Sequence, residues 1–328
     1  MSSPTCLLEA IDLSKTYDRV TAVESISFQV SEGETLGLVG TSGCGKTTTL
    51  KMLNRLVEPT AGMVRIAGQD IRQQKPAILR RHIGYAIQNA GLFPHYTVAD
   101  NVAAVPRLLK WRPQRIAHRT AELLKLVGLP PETFVQRYPH ELSGGQQQRV
   151  GIARALAADP PIVLLDEPFG ALDQVTREQL QQDFKQLESL LHKTIVLVTH
   201  DIFEAVKLCD RICVMDAGRV EQLGTPQELV FSPQTPFVRN FLQSAQFQLE
   251  LQVTRLQDLL PYLSAQASQV TSAKMLYPTQ TSLLEVLESL EFGTADSFGI
   301  VEGNCDRTWV VRSDDLLPAF YQFRASFQ

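Results

Sequence analysis

The sequence has no long apolar run, no excess of basic charge and no clustered cysteines, and each absence excludes something. No stretch approaches the roughly 20 apolar residues needed to cross a bilayer, so no transmembrane helix is expected, and work at a membrane would need another chain to provide the span. The N-terminus lacks a basic segment followed by an apolar core, so no signal peptide is expected. Lys and Arg total 31 against 35 Asp and Glu, a net charge of −4 with no basic stripe, so nucleic acid is not expected as a partner. The 5 cysteines are scattered; Cys209 and Cys213 lie close in sequence, but no second pair completes a zinc site, and reduced thiols are expected. What remains is the composition of a folded globular protein, 44% hydrophobic and 20% charged, over 328 residues, enough for about two domains.

Against that background, Gly40-Thr41-Ser42-Gly43-Cys44-Gly45-Lys46-Thr47 fits a phosphate-binding pattern in full, G-x-x-x-x-G-K-[ST]. The apolar residues Leu36, Leu38 and Val39 precede it as a strand, and Thr48 to Leu56 can continue as a helix. Three glycines let successive N–H groups point at phosphate oxygens, and the helix N-terminus adds its dipole there. Lys46 supplies a mobile positive charge, and the Thr47 hydroxyl can ligate Mg²⁺. With a net negative chain, an ATP site must be built from such local donors.

Strand-like alternation marks residues 6–12 and 23–30, and shorter strands are expected at Met63 to Ala67 and Ile83 to Ile87. From about Ala90 to Ala158 the pattern is helical. Ile162 to Leu165 and Thr194 to Val198 are continuous apolar runs suited to central parallel strands, bridged by a helix from about Thr176 to Leu191. Arg211 to Met215 reads as a further strand, with a turn at Ala217-Gly218. The expected fold is α/β, a P-loop NTPase core with a helical subdomain at about 90–158. Around Gln243 to Gln248 the character changes to Gln-rich and polar, which places the domains at 1–243 and 244–328. In the tail, Thr281 to Leu290 reads as a helix, and Phe298 to Val301 and Trp309 to Val311 as a hairpin turning at Gly303-Asn304. Asp314 is expected to cap a last helix running to Phe320.

Four more segments narrow the chemistry. Asp166 and Glu167 end an apolar strand, where Asp166 can hold Mg²⁺ through water and Glu167 can orient or deprotonate an attacking water; by themselves they would also serve as a solvated strand end. Leu142-Ser143-Gly144-Gly145-Gln146 opens a long helix and offers an anion site of N–H groups, or an ordinary N-cap. His200 follows the strand Thr194–Val198, within reach of a γ-phosphate, and Gln88 ends another strand where its amide can reach the metal or the water.

Taken together and in this order, these motifs resemble the ATP-binding subunits of ABC transporters over about residues 5–243. The resemblance implies ATP hydrolysis with Mg²⁺ held by Thr47, Gln88 and Asp166, and catalysis by Glu167 with His200 and Gln88. It implies an ATP site at Tyr17 (stacking on adenine) and Gly40 to Thr48, and a signature at Leu142 to Gln146 that completes the ATP site of a second copy. Asp173, after Ala171 and Leu172, lies in the loop that links the two sites of such a homodimer. Leu79 to Gln88, Gly91 to Val98, and Val198 to Asp201 with Glu204-Ala205 further resemble importers of quaternary-ammonium osmoprotectants (glycine betaine, choline, carnitine, proline). The implied partners are an integral-membrane permease and, indirectly, a solute-binding protein, with the chain peripheral on the cytoplasmic face of the membrane. An importer of another small solute, such as an amino acid or polyamine, is the alternative. A soluble cassette of translation or DNA repair fits poorly, because the chain holds one cassette and no sustained heptads between Thr47 and Leu142. The tail's helix–strand–strand–helix order resembles a CBS motif, or is a dimerisation or capping tail.

Overall fold

The structure is a computed structural model that describes residues 6–88, 90–170, 172–263, 266–268, 275–291, 297–301 and 308–327. Its contacts divide the chain into two units, Met1–Leu223 and Gly224–Gln328.

The first unit holds strands β1 (Cys6–Tyr17), β2 (Val20–Ser31), β3 (Thr35–Gly40), β4 (Ala61–Ile66), β5 (Gln69–Asp70), β6 (Ile83–Ala86), β7 (Ile162–Asp166), β8 (Thr194–Val198), β9 (Arg211–Asp216) and β10 (Arg219–Gly224). Between them run α1 (Lys46–Leu53), α2 (Pro76–Leu79), α3 (Val98–Leu108), α4 (Pro113–Leu126), α5 (Pro131–Phe134), α6 (Gly144–Leu156), α7 (Gln174–Leu191) and α8 (Ile202–Leu208). One sheet has the order β10-β9-β3-β8-β7-β6, and a second the order β2-β1-β4-β5. Every residue of β3, β7 and β8 is buried, as their unbroken apolar sequences require. The pairs β6–β7, β7–β8, β8–β3 and β3–β9 are all parallel. The loops that follow β3, β6, β7 and β8 therefore leave the same edge of the sheet, which is where ligands bind in open α/β sheets. Leu36, Leu38, Leu164, Val196 and Val198 form the core beneath that edge, with Leu50, Met52 and Leu53 of α1.

The expected helical stretch from Ala90 to Ala158 is four helices. Prolines set some of the breaks: Pro113 and Pro131 each open a helix, where a missing N–H is harmless. The first two strands run longer than the alternation suggested, and β10 was not foreseen. Ala217 and Gly218, both at positive φ, make the tight turn that returns the chain into β10.

The second unit carries α9 (Pro226–Phe231), α10 (Pro236–Gln243), α11 (Gln246–Val253), α12 (Leu256–Leu259), α13 (Leu283–Glu291) and α14 (Leu316–Ala325). Its strands are β11 (Gln266–Ser268), β12 (Leu276–Pro278), β13 (Ser297–Val301) and β14 (Thr308–Arg312), in the order β11-β14-β13-β12. Leu256, Leu283, Phe298, Ile300 and Phe320 are fully buried at its centre. The division falls at Leu223/Gly224 and not at 243/244. The reason is packing: Phe231 of α9 stacks on Phe327 at 4.6 Å, and Gln246 Nε2 donates to the Val230 carbonyl at 3.0 Å. Asp314 does not cap the last helix. It lies in a 3₁₀ turn, Ser313–Asp315, and pairs with Arg312 at 3.3 Å, so Asp315 precedes α14. The hairpin strands pair antiparallel, but the expected turn at Gly303-Asn304 lies outside the described residues.

Candidate nucleotide site

The loop between β3 and α1 is shaped by glycine. Gly40 has φ 151°, and a Cβ there would sit 1.9 Å from the Met215 carbonyl oxygen. Gly45, at φ 101°, precedes α1 in the left-handed region and lies against Ala22 of the β1–β2 hairpin. Thr41, Ser42 and Gly43 are exposed, Gly45, Thr47 and Thr48 half-buried, and Cys44 and Lys46 buried. Lys46 Nζ donates to the carbonyls of Gly40 and Thr41, both at 2.8 Å, and lies 3.6 Å from Cys44 Sγ. The ammonium is thus held inside the concavity that its own loop encloses.

The ends of the neighbouring strands meet this loop. Thr47 Oγ1 donates to Asp166 Oδ1 at 2.9 Å. Burial pushes the Asp166 carboxyl above its ordinary range, opposed by the Thr47 hydrogen bond and by Lys51 and Lys46 nearby. Glu167 sits at φ 46°, a left-handed conformation that a non-glycine residue adopts under constraint. Its N–H donates to the Val198 carbonyl at 2.9 Å, which locks the turn to the end of β8. Gln88 Nε2 donates to Glu167 Oε2 at 2.8 Å, and His200 Nδ1 lies 3.4 Å from the same oxygen. Lys46, Thr47, Asp166, Glu167, Gln88 and His200 are therefore brought together. Tyr17, 44% exposed at the end of β1, presents an open ring with Lys15 Nζ 4.9 Å from its centroid.

A second group assembles apart from these in its hydrogen bonds. Ser143 caps α6: Gln146 N donates to Ser143 Oγ at 3.3 Å, and Ser143 N donates to Gln146 Oε1 at 3.0 Å. Leu142 is buried, Gly144 is open to solvent with no atom near its missing Cβ, and Gly145 approaches Leu172 closely. Asp173 is exposed and accepts from Thr176 N at 3.0 Å, which caps α7 and holds its carboxyl below the usual range. Ala171 of the same loop lies outside the described residues.

A family model described as ABC transporter matches residues 23–170. The Glycine betaine uptake system ATP-binding protein YehX of Escherichia coli K12 is 51% identical over 245 residues, 75% of this chain and 79% of that protein. The chain belongs to the ABC transporter family. The Choline transport ATP-binding protein OpuBA of Bacillus subtilis 168 is 54% identical over 237 residues, 72% of the cassette chain. The match spans only 62% of that relative's length. Among solved structures, a dimeric bacterial ABC transporter cassette superposes with a TM-score of 0.62 at 37% identity, covering 67% of this chain and 98% of that one.

Two contributors to the site were not singled out from the sequence. Arg154 of α6 donates to the Gly91 and Ala90 carbonyls at 2.7 and 2.6 Å, and so fixes the segment that follows Gln88. Burial depresses its pKa, a sign that the guanidinium is largely withdrawn from water. Glu204, quoted above only within the osmoprotectant resemblance, is 5% exposed behind His200. Arg154 bonds to carbonyls remote along the chain, so no spacing announces that contact, whereas Glu204 follows His200 closely in sequence and only its burial marks it out.

Proposed function

We propose that this chain is the ATP-hydrolysing subunit of an importer for a quaternary-ammonium osmoprotectant. The observation that supports it most is the convergence on Glu167: one carboxylate, fixed in a left-handed turn, meets the Gln88 amide and the His200 ring beside the Lys46–Thr47 loop. The names of the similar proteins, a glycine betaine uptake system and a choline transport protein, support the solute class.

In this reading the triphosphate enters the loop of Gly40 to Thr48, and its oxygens replace the Gly40 and Thr41 carbonyls on Lys46 Nζ. The Thr47 hydroxyl and Asp166 carboxylate, 2.9 Å apart, are hard oxygen donors that suit Mg²⁺, an ion that takes few protein ligands and shares the phosphates. Bound there, Mg²⁺ supplies charge that stabilises the terminal phosphoryl group. Glu167 orients the attacking water and accepts its proton; the water oxygen bonds to the γ-phosphorus as the bond to the ADP oxygen breaks. His200 and Gln88 hold Glu167 and the terminal phosphate in register, and Tyr17 stacks on the adenine.

The Ser143 turn completes the site of a second copy, whose loop holds the ATP; two copies then form an isologous dimer about a two-fold axis. Asp173 sits in the connection between the two sites. Closure on ATP and opening after hydrolysis move the permease subunits at the cytoplasmic face of the membrane, with a solute-binding protein delivering the solute outside. Among the described residues no helix is long and apolar enough to cross a membrane, so the permease has to provide the path. We place the second unit, Gly224–Gln328, as a regulatory or dimerisation region.

Phosphate release by the purified chain with MgATP tests the enzyme reading. Lys46→Ala should lower the rate at least 100-fold and weaken ATP binding; near-normal turnover would contradict it. Uptake of labelled betaine or choline, lost on gene deletion and restored by wild type but not by Lys46→Ala, tests the solute class. Loss of polyamine or amino-acid uptake alone would overturn it.

A further inference from the structure

Behind the His200–Glu167 pair lies a small cavity of ≈10 Å³, at the threshold of room for one water. It is lined by Glu167, Gly170, Arg177, Thr199, His200, Asp201 and Glu204. Two of these side chains carry a buried polar atom without a hydrogen-bond partner in the chain: Oε1 of Glu204 and Nε of Arg177. A buried donor or acceptor left unpaired is destabilising, so two such atoms on one cavity call for a shared partner. A carboxyl oxygen and a guanidinium N–H can both be satisfied by a single water between them.

The ends of this link are also fixed. Glu204 shares a hydrogen bond with Thr199, and Thr199 Oγ1 accepts from Asp201 N at 3.0 Å, which anchors the backbone on both sides of His200. Arg177 Nη2 donates to the Leu172 carbonyl at 3.1 Å, and its backbone N–H to the Asp173 carbonyl at 2.9 Å. Leu172 in turn lies against Gly145, where a Cβ would come 2.8 Å from its Cδ2.

We propose that Glu204 and Arg177 bind one ordered water in this cavity and act through it as positioning residues, fixing His200 and Glu167 relative to the Leu172–Asp173 loop. The inference rests on the ATPase reading. The carboxyl presents its proton to the water, and the water presents its own hydrogens to the Glu167 side. Burial first, then the Asp201 and Glu167 carboxylates, push the Glu204 carboxyl up to about 8, with Thr199 and Arg177 opposing. The protonated form that the link requires is therefore the one present near neutral pH. As pH rises through about 8 the carboxyl ionises, stops donating, and repels Glu167 and Asp201.

Two measurements test this. A high-resolution crystal structure of the full chain should show a water within hydrogen-bond distance of both Glu204 and Arg177 Nε; a dry cavity would overturn the proposal. In steady-state ATPase assays, Glu204→Leu should lower kcat at least tenfold with KM for ATP within twofold. Glu204→Gln, which keeps a donor facing the cavity, should restore most of that loss and flatten the alkaline fall of the wild-type profile. A Glu204→Leu enzyme with wild-type kcat, or a Glu204→Gln enzyme with an unchanged alkaline limb, would refute it. A wild-type chain with no ATPase at all would defeat the functional reading instead, and the crystallographic water alone would then decide the proposal.

Discussion

At the residue scale, the site depends on a few positions whose geometry admits one side chain. Gly40 is the sharpest case, because a methyl group would collide with the Met215 backbone and neither strand can yield. Gly40→Ala should destabilise the chain on the order of 3 kcal/mol in urea unfolding and abolish nucleotide binding; a melt within error of wild type would contradict the strand packing described. Glu204 makes an opposite kind of prediction. Its folded pKa, about 8, lies above the ordinary 4.5, so between those values the folded state binds more protons than the unfolded one. Stability contributed by this group is therefore lost as pH rises from about 4.5 to 8, and the full penalty stands above that. Glu204→Gln removes the penalty. Its melting temperature relative to wild type should rise between pH 5 and pH 9, as followed by circular dichroism; a constant difference would show that the carboxyl titrates normally. The phosphate loop, Asp166, Glu167, Gln88 and His200 were legible in sequence because each follows an apolar strand at a fixed offset. Arg154 was not, because its bonds join segments distant along the chain. Arg177 and Glu204 bond to sequence neighbours, Leu172, Asp173 and Thr199, but no residue type or spacing marks those bonds.

At the scale of elements, β3, β7 and β8 could be read from sequence because strands covered on both faces need unbroken apolar runs, and theirs are fully buried. β10 escaped because its buried positions are Gln222 and Gly224, so the strand, which also carries Arg219 and Glu221, shows no apolar alternation. The last helix was misread at its start because Asp314 is a fair N-cap by residue type. Its carboxylate pairs with Arg312 instead. The link between α6 and the Gln88 segment is the element contact most open to test. Arg154→Ala leaves the Ala90 and Gly91 carbonyls without their charged donor, a loss of about 2 kcal/mol. For a unit of this size that should lower the melting temperature by roughly 4–8 °C. Because the loosened segment carries Gln88, kcat should fall by more than the stability change explains at 25 °C. A variant with a lowered melting temperature but unaltered kcat would mean that α6 does not position the glutamine.

At the scale of the whole molecule, the proposed function gives one chain two half-sites. In that reading the Lys46–Glu167 group faces the triphosphate, whereas the Ser143–Gly145 turn, whose own hydrogen bonds are local, faces the site of the other copy. If two copies embrace to complete the chemistry, nucleotide itself is the adhesive, and a variant that binds but does not hydrolyse should be trapped as a pair. Light scattering on Glu167→Gln measures this directly. Its mass should double on addition of MgATP, and the Glu167→Gln/Ser143→Arg double variant should bind MgATP yet show no doubling. A Glu167→Gln chain whose mass does not respond to MgATP, or a double variant that pairs as readily, would contradict a site shared between two copies.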